Sequence, residues 1–251
     1  LVDSYESVAR FYDLFAGNDD LEFFIELAEV SAGPCLELGV GTGRVALKLV
    51  RRGQSIVGID ISEDMLRQAR RKLSMESEDV RKRLSLLRAD MRSFYLKDRF
   101  DLVYSPGGGF QECLTKDDME DCLKRVRSHM KPEGKLALAL WLPSLEREYE
   151  VWASESPRPL EDDRTVTRSI IWHRAEEGGR PAIDISYKVF IGDRLEGEYC
   201  VGSPVNILDP EDLRGTLRAT GFLIEKEYGD FYMKEYSAGD EWMVIVARAR
   251  L

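Results

Sequence analysis

Between residues 4 and 30 the apolar positions recur at helical spacing. Tyr5, Val8, Phe11, Tyr12 and Phe15 form one stripe, broken at Gly17-Asn18, and Leu21, Phe24, Ile25 and Leu27 form a second. From Cys35 the period changes. Short apolar runs at about 35–38, 55–59, 84–88, 100–104 and 135–141 predict strands, and helical patterns stand between most of them, at 45–51, 63–73 and 116–130. Ser62-Glu63-Asp64 supplies a helix start, while Pro132 and Gly134 close the helix before them. Strands alternating with helices of this length predict an α/β fold built on a parallel sheet.

The rhythm breaks after Pro143. Residues 165–172, 182–191 and 196–207 are β-rich, and Ile183, Ile185, Tyr187, Val189 and Ile191 alternate with mostly polar neighbours. Glu177-Gly178-Gly179 and Gly192-Asp193 supply tight turns, so these runs predict an inserted antiparallel sheet. A helix at 210–220 and strands at 222–228 and 242–249 then resume the first pattern. The expected organisation is one domain made of 1–143 and 206–251, with 144–205 as an inserted β subdomain.

The densest chemical signal is the run 36–44, Leu-Glu-Leu-Gly-Val-Gly-Thr-Gly-Arg. Gly39, Gly41 and Gly43 permit a turn that presses its amides against a ligand. A dinucleotide fingerprint would close with glycine at position 44, where this chain has Arg44. Glu37 adds a second objection, because a carboxylate at the strand end repels a pyrophosphate and attracts a cofactor carrying an ammonium group. A nicotinamide oxidoreductase is disfavoured on both counts.

In an open α/β sheet, ligands lie outside the carboxyl ends of the strands. Four successive strand ends here carry Glu37 to Gly43, Asp60, Asp90-Met91 and Ser105-Pro106-Gly107-Gly108-Gly109. Asp60 suits a ribose diol, which a carboxylate can accept from twice. Ile61 and Met65 offer apolar faces to a base. Asp90 can accept from an adenine amino group, and the Met91 amide can donate to a ring nitrogen.

Taken in order, LELGVGTGR, GIDISEDML, RADMRSF, FDLVYS and HMKPEGKL make residues 33–141 resemble the class I S-adenosylmethionine-dependent methyltransferases. That resemblance implies a Rossmann-like, seven-stranded, mostly parallel sheet with an antiparallel last strand and helices on both faces. It implies S-adenosyl-L-methionine as cofactor and S-adenosyl-L-homocysteine as product, with Glu37 on the methionyl ammonium and Ser105 beside the cofactor. Phe11-Tyr12-Asp13-Leu14-Phe15, the β insertion, Trp141 and Arg164-Thr165-Val166 look like a narrower group that includes aminosugar N,N-dimethyltransferases. In that group the aromatic of the Tyr-Asp pair reaches over the cofactor, which implies Tyr12 at the methionyl carboxylate.

The acceptor is less constrained. Amino-directed DNA methyltransferases carry an acidic or Asn residue, two prolines and an aromatic after the fourth strand, and protein arginine methyltransferases a pair of glutamates. This chain has neither, and only Glu112 lies near. Phe110, Gln111, Trp141 and His173 are the candidate acceptor-facing residues, and no catalytic base is assigned; His129, at a helix end, is expected to cap it. A formal net charge of −10 argues against nucleic acid. Four scattered cysteines and two histidines give no metal-ligand spacing, so no metal is expected, and with no secretory or membrane-spanning run they suit a reduced, cytoplasmic protein. The expected function is methyl transfer to a nitrogen or oxygen of a small molecule. Alternatives are a cofactor-binding homo-oligomer without catalysis, paired as a homodimer through edges of the inserted sheet, or a methyltransferase acting on RNA or protein.

Overall fold

A computed structural model describes residues 8–142, 151–152, 155–160, 162–173, 182–204 and 206–250. Two helices come first, α1 (Ala9–Phe15) and α2 (Leu21–Glu29); Tyr5, expected on the first stripe, lies outside the described residues. Then follow β1 (Cys35–Leu38), α3 (Arg44–Arg51), β2 (Ile56–Asp60), α4 (Glu63–Ser74), α5 (Glu78–Arg81), β3 (Leu84–Arg88) and β4 (Phe100–Ser105). A single 3₁₀ turn, Gly109–Glu112, leads into α6 (Lys116–Ser128) and β5 (Met130–Trp141). The next strands are β6 (Val151–Trp152), β7 (Arg158–Pro159), β8 (Arg164–His173), β9 (Ala182–Ile191) and β10 (Arg194–Pro204). Helix α7 (Pro210–Ala219), β11 (Phe222–Tyr228) and β12 (Trp242–Ala249) complete the chain.

The first sheet has seven strands in the order β11-β12-β5-β4-β1-β2-β3. Strands β1 to β5 run parallel, and β12 inserts antiparallel between β5 and β11. This is the predicted fold. β1 lies next to the middle of the sheet and all four of its residues are buried, as a strand covered on both faces requires. One apolar cluster joins β4, β5 and β12 to α6 and α7, and a second joins α2 and α3 to the other face. Helix starts are chemically explicit. Ser62 accepts from the Met65 amide, Thr115 and Asp118 form a reciprocal capping box, and Asp209 caps α7 with Pro210 in its first turn.

The second sheet is antiparallel in the order β10-β9-β8-β6, with the short β7 also on β8. Strands β6 and β7 were not predicted; two-residue strands carry no readable period. The register places Val166, Arg168 and Ile170 opposite Val189, Tyr187 and Ile185, all on one face. Helix α1 lies on that face. Phe11 stacks on Tyr187 with ring centroids 5.3 Å apart, Phe15 packs on the same ring at 5.8 Å, and the Arg10 guanidinium covers both Phe11 and Tyr199. The N-terminal helix thus joins the two sheets. Among the described residues no helix is long and apolar enough to cross a membrane.

Candidate functional site

The turn after β1 alternates in two senses. Gly39, Gly41 and Gly43 have φ of 67°, 53° and 75°, a left-handed backbone that side chains rarely adopt. The residues between them point inward, leaving Val40 and Thr42 at 3% and 1% exposure. Gly39 and Gly41 present bare backbone outward, while Gly43 is buried with its Cβ position 3.4 Å from the Ala69 methyl. A side chain at Gly41 would meet nothing closer than 4.0 Å, so conformation demands this glycine, and a side chain would project over the turn.

Glu37 sits beneath this turn, buried, and accepts a hydrogen bond of 2.7 Å from the Tyr104 hydroxyl. Desolvation pushes its carboxyl up to about 8, against the opposing pull of Tyr104 and Arg44. A carboxyl held near neutrality in a buried place is poised to ionise when a cation arrives. Asp60, at the end of β2, accepts from the Gly41 amide at 2.7 Å and the Ser62 amide at 2.8 Å. It ties the glycine turn to the start of α4. Met65 is buried on the first turn of that helix, Ile61 is exposed beside it, and the Met91 methyl lies 3.8 Å from where a side chain at Gly39 would begin. The predicted cofactor residues of three strand ends thus meet around one turn.

Two of the remaining predicted residues are already committed. Asp90 receives the Arg92 amide and its guanidinium, with Nη2 at 2.6 Å, and Arg92 reaches on to Asp118 at 2.9 Å. That fork holds the Asp90 carboxyl below its ordinary value. Ser105 is buried and donates to the Leu38 carbonyl at 3.1 Å, pinning β4 to β1 where the glycine turn begins. Tyr12, on α1, feels the charges of Arg44, Asp20, Asp13 and Arg168, while burial pushes its hydroxyl up. Its neighbour Asp13 accepts from Thr42 of the glycine turn at 2.5 Å and from Lys72 of α4 at 2.6 Å. The Tyr-Asp pair is thereby seated over the turn.

The structure places the expected acceptor-facing residues as follows. Phe110 is fully buried in the core. Gln111 is buried too, and its amide is spent on backbone: Nε2 donates to the carbonyls of Trp141 and Asn206, each at 2.9 Å, and Oε1 accepts from the Trp141 amide at 2.7 Å. Gln111 and the Trp141 backbone thus form a clamp that joins the two ends of the inserted segment. His173 lies in odd register on β8, on the face opposite Arg168 and α1, where it pairs with Asp184 at 2.7 Å in solvent. It is turned away from the glycine turn. His129 caps α6 as expected, accepting from the Leu96 amide at 3.0 Å.

Two features escaped the sequence reading, and a third was read only by position. Arg44, noted only as a break in a dinucleotide fingerprint, forks onto Asp20 with both distances at or below 2.6 Å and binds α2 to the glycine turn. Arg168 donates to Glu155 and lies over the Phe15 ring at 5.0 Å. Glu112 ends the 3₁₀ turn whose Gly109 Cα is 3.8 Å from the Cβ position of Gly39. The partners of Arg44 and Arg168 lie 24 and 13 residues away, beyond any local pattern, and the sequence marks Glu112 only by its position near the loop after the fourth strand.

Residues 35–134 match the family described as methyltransferase domain. The chain is 26% identical to the putative methyltransferase YqeM of Bacillus subtilis (strain 168), over 97% of this chain and 96% of that protein. It is 23% identical to dTDP-3-amino-3,6-dideoxy-alpha-D-glucopyranose N,N-dimethyltransferase of Streptomyces fradiae, over 87% of this chain and 84% of that one. Among solved structures, the CcbJ methyltransferase from Streptomyces caelestis superposes with a TM-score of 0.78 at 22% identity, covering 99% of this chain and 98% of its own.

Proposed function

We propose that the chain, whose residues 35–134 match a methyltransferase domain, is a class I S-adenosylmethionine-dependent methyltransferase that methylates a nitrogen or oxygen of a small-molecule acceptor. The observation that carries this reading is the convergence of Glu37, the left-handed glycine turn and Asp60. Their chemistry fits the cofactor part by part. Glu37 is a carboxyl that an ammonium would ionise, and Asp60, held at the turn by the Gly41 and Ser62 amides, is a carboxylate of the kind that accepts from a diol. Met65 and Met91 offer apolar surface nearby.

When bound, S-adenosylmethionine supplies a methyl group already activated by a sulfonium. The protein's work is then to orient, enclose and exclude water. Glu37 orients the amino acid end, Asp60 the ribose, and Tyr12 covers the methionyl carboxylate from α1. The residues of 144–205, with α1 laid on their sheet, form the acceptor side, while 1–143 and 206–251 hold the cofactor. The aminosugar relative and the acidic net charge of −10 both support a small acceptor over a nucleic acid.

Calorimetric titration with S-adenosylmethionine tests the cofactor half. Wild type should bind, and Asp60→Ala should bind at least tenfold more weakly. No binding by wild type, or unchanged binding by the variant, overturns it. Methyl transfer measured over a panel of small amines and hydroxyl compounds tests the acceptor half.

A further inference from the structure

Helix α1 is bound to its two neighbours by different forces. Toward the second sheet the contact is apolar: Phe11 and Phe15 share one buried cluster with Val166, Tyr187 and Val201, and among the described residues no element of the first sheet enters it. By packing, α1 therefore belongs with the inserted sheet, although chain order puts it beside the cofactor-binding residues. Toward the glycine turn the contact is polar. Among the described residues, both side-chain hydrogen bonds that leave α1 end on Asp13, which accepts from Thr42 at 2.5 Å and from Lys72 at 2.6 Å.

Both donors are fixed to the same piece of the first unit. Thr42 is buried between Gly41, whose amide is held by Asp60, and Gly43, which packs on Ala69 of α4. Lys72 stands one turn beyond Ala69 on the same face of that helix. The two bonds differ in weight. Lys72 and Asp13 are 28% and 39% exposed, and an ion pair so open to water contributes little. The Thr42 bond is charge-assisted and shielded at its donor end, so it decides where α1 sits.

We propose that Asp13 is a positioning residue that couples the glycine turn to the inserted sheet, so that cofactor binding seats the acceptor side of the site. This rests on the methyltransferase reading above and deepens it. When α1 is seated, Asp13 is on Thr42, Tyr12 beside it covers the methionyl end of the cofactor, and the inserted sheet follows the helix. When it is unseated, the Asp13 carboxylate takes water instead, the helix and sheet move off together, and the cofactor loses the Tyr12 contact. A cofactor that gains this contact only in the seated arrangement favours it, and seating strengthens cofactor binding by the same factor. An acceptor held against the inserted sheet then binds the loaded protein better than the empty one.

Hydrogen–deuterium exchange of the full chain, with and without saturating S-adenosylhomocysteine, tests the coupling. In wild type the ligand should slow exchange over residues 182–204 by about fivefold or more, although none of them lies at the glycine turn or the strand ends around it. Thr42→Val keeps the buried shape and removes the hydroxyl; Asp13→Ala removes the carboxylate from an exposed position. In both, the slowing over 182–204 should fall below about twofold while the slowing over 37–43 and 56–60 persists. Asp13→Asn still accepts from Thr42 and should keep at least half of the wild-type effect. The proposal is overturned if the ligand leaves 182–204 unchanged in wild type, or if Thr42→Val and Asp13→Ala retain the full effect. Failure of Asp13→Asn to do better than Asp13→Ala overturns it too, since the Thr42 bond would then not be the coupling contact. If wild type shows no slowing even over 37–43, the methyltransferase reading falls first, and this one with it.

Discussion

The Tyr104 hydroxyl donates to Glu37 Oε2 at 2.7 Å, and both side chains are closed off from solvent by the strands that carry them. This single bond softens the desolvation of Glu37 without cancelling it, so burial keeps the carboxyl mostly protonated at neutral pH. A cofactor ammonium would reverse the balance. We expect S-adenosylmethionine binding near pH 7 to release close to one proton. Calorimetry in buffers of different ionisation heats reads that number directly, and a value near zero would show that Glu37 does not ionise. Glu37→Gln should weaken binding by about 1.5–3 kcal/mol, the range for a hydrogen bond to a charged group.

The same group makes stability depend on pH. In the unfolded chain Glu37 loses its proton near 4.5, whereas in the fold it keeps it to about 8. The folded state therefore binds the extra proton across that window. Its contribution to stability is greatest at the acid edge and falls as pH rises toward 8. Denaturant unfolding of the cofactor-free protein should show this decline, and Glu37→Gln should flatten it. Unaltered slopes in the variant would assign the decline to other groups.

Arg44 and Asp20 form a two-pronged pair with side-chain exposures of 17% and 6%. Removing one partner strands the other charge in a poorly solvated place. Asp20→Ala should cost on the order of 3–5 kcal/mol and loosen α2 from the glycine turn. Replacing both, as in Arg44→Met with Asp20→Leu, should recover much of that loss. Chemical denaturation of the two singles and the double decides it, since additive losses would deny the coupling.

How much of this was legible follows the range over which each signal acts. The alternation of strands and helices, the glycine turn, and Asp60 at the end of β2 are local patterns, and the sheet kept them all. Gln111 reads locally as a polar residue after a glycine run. Its partners, Trp141 and Asn206, lie 30 and 95 residues away, so only the fold reveals that its amide is spent. His173 failed through parity. It lies an odd number of residues from Val166, which faces α1, and the register of β8 on β9 makes that count decisive. Arg44 is different again: its substitution for glycine was plain, but its partner Asp20 is on another helix.

Gln111 makes a prediction that separates the two halves of the site. Gln111→Leu would leave the Trp141 amide and two carbonyls without their buried partner, a loss of about 2–4 kcal/mol by the usual cost of unmade bonds. None of those groups belongs to the glycine turn. S-adenosylhomocysteine affinity should therefore stay within about twofold under conditions where the variant is folded, while methyl transfer falls. A matching loss of cofactor affinity would mean that the clamp supports the glycine turn as well.

Asp90 offers a test by exchange of donor and acceptor. Arg92 fixes its carboxylate with Nε at 2.9 Å and Nη2 at 2.6 Å, which leaves it oriented, ionised and able only to accept. If it receives the adenine amino group, a cofactor analogue with a carbonyl at that position should be rejected. S-inosylhomocysteine should bind wild type more weakly than S-adenosylhomocysteine by roughly 10- to 100-fold, the scale of one charge-assisted hydrogen bond. Asp90→Asn brings an amide that can donate to the carbonyl, so the gap between the two ligands should narrow. Arg92→Ala should weaken both ligands alike, because it releases the carboxylate without changing what it accepts. Equal binding of the two ligands by wild type would remove Asp90 from the base-binding role and leave it as the partner of Arg92.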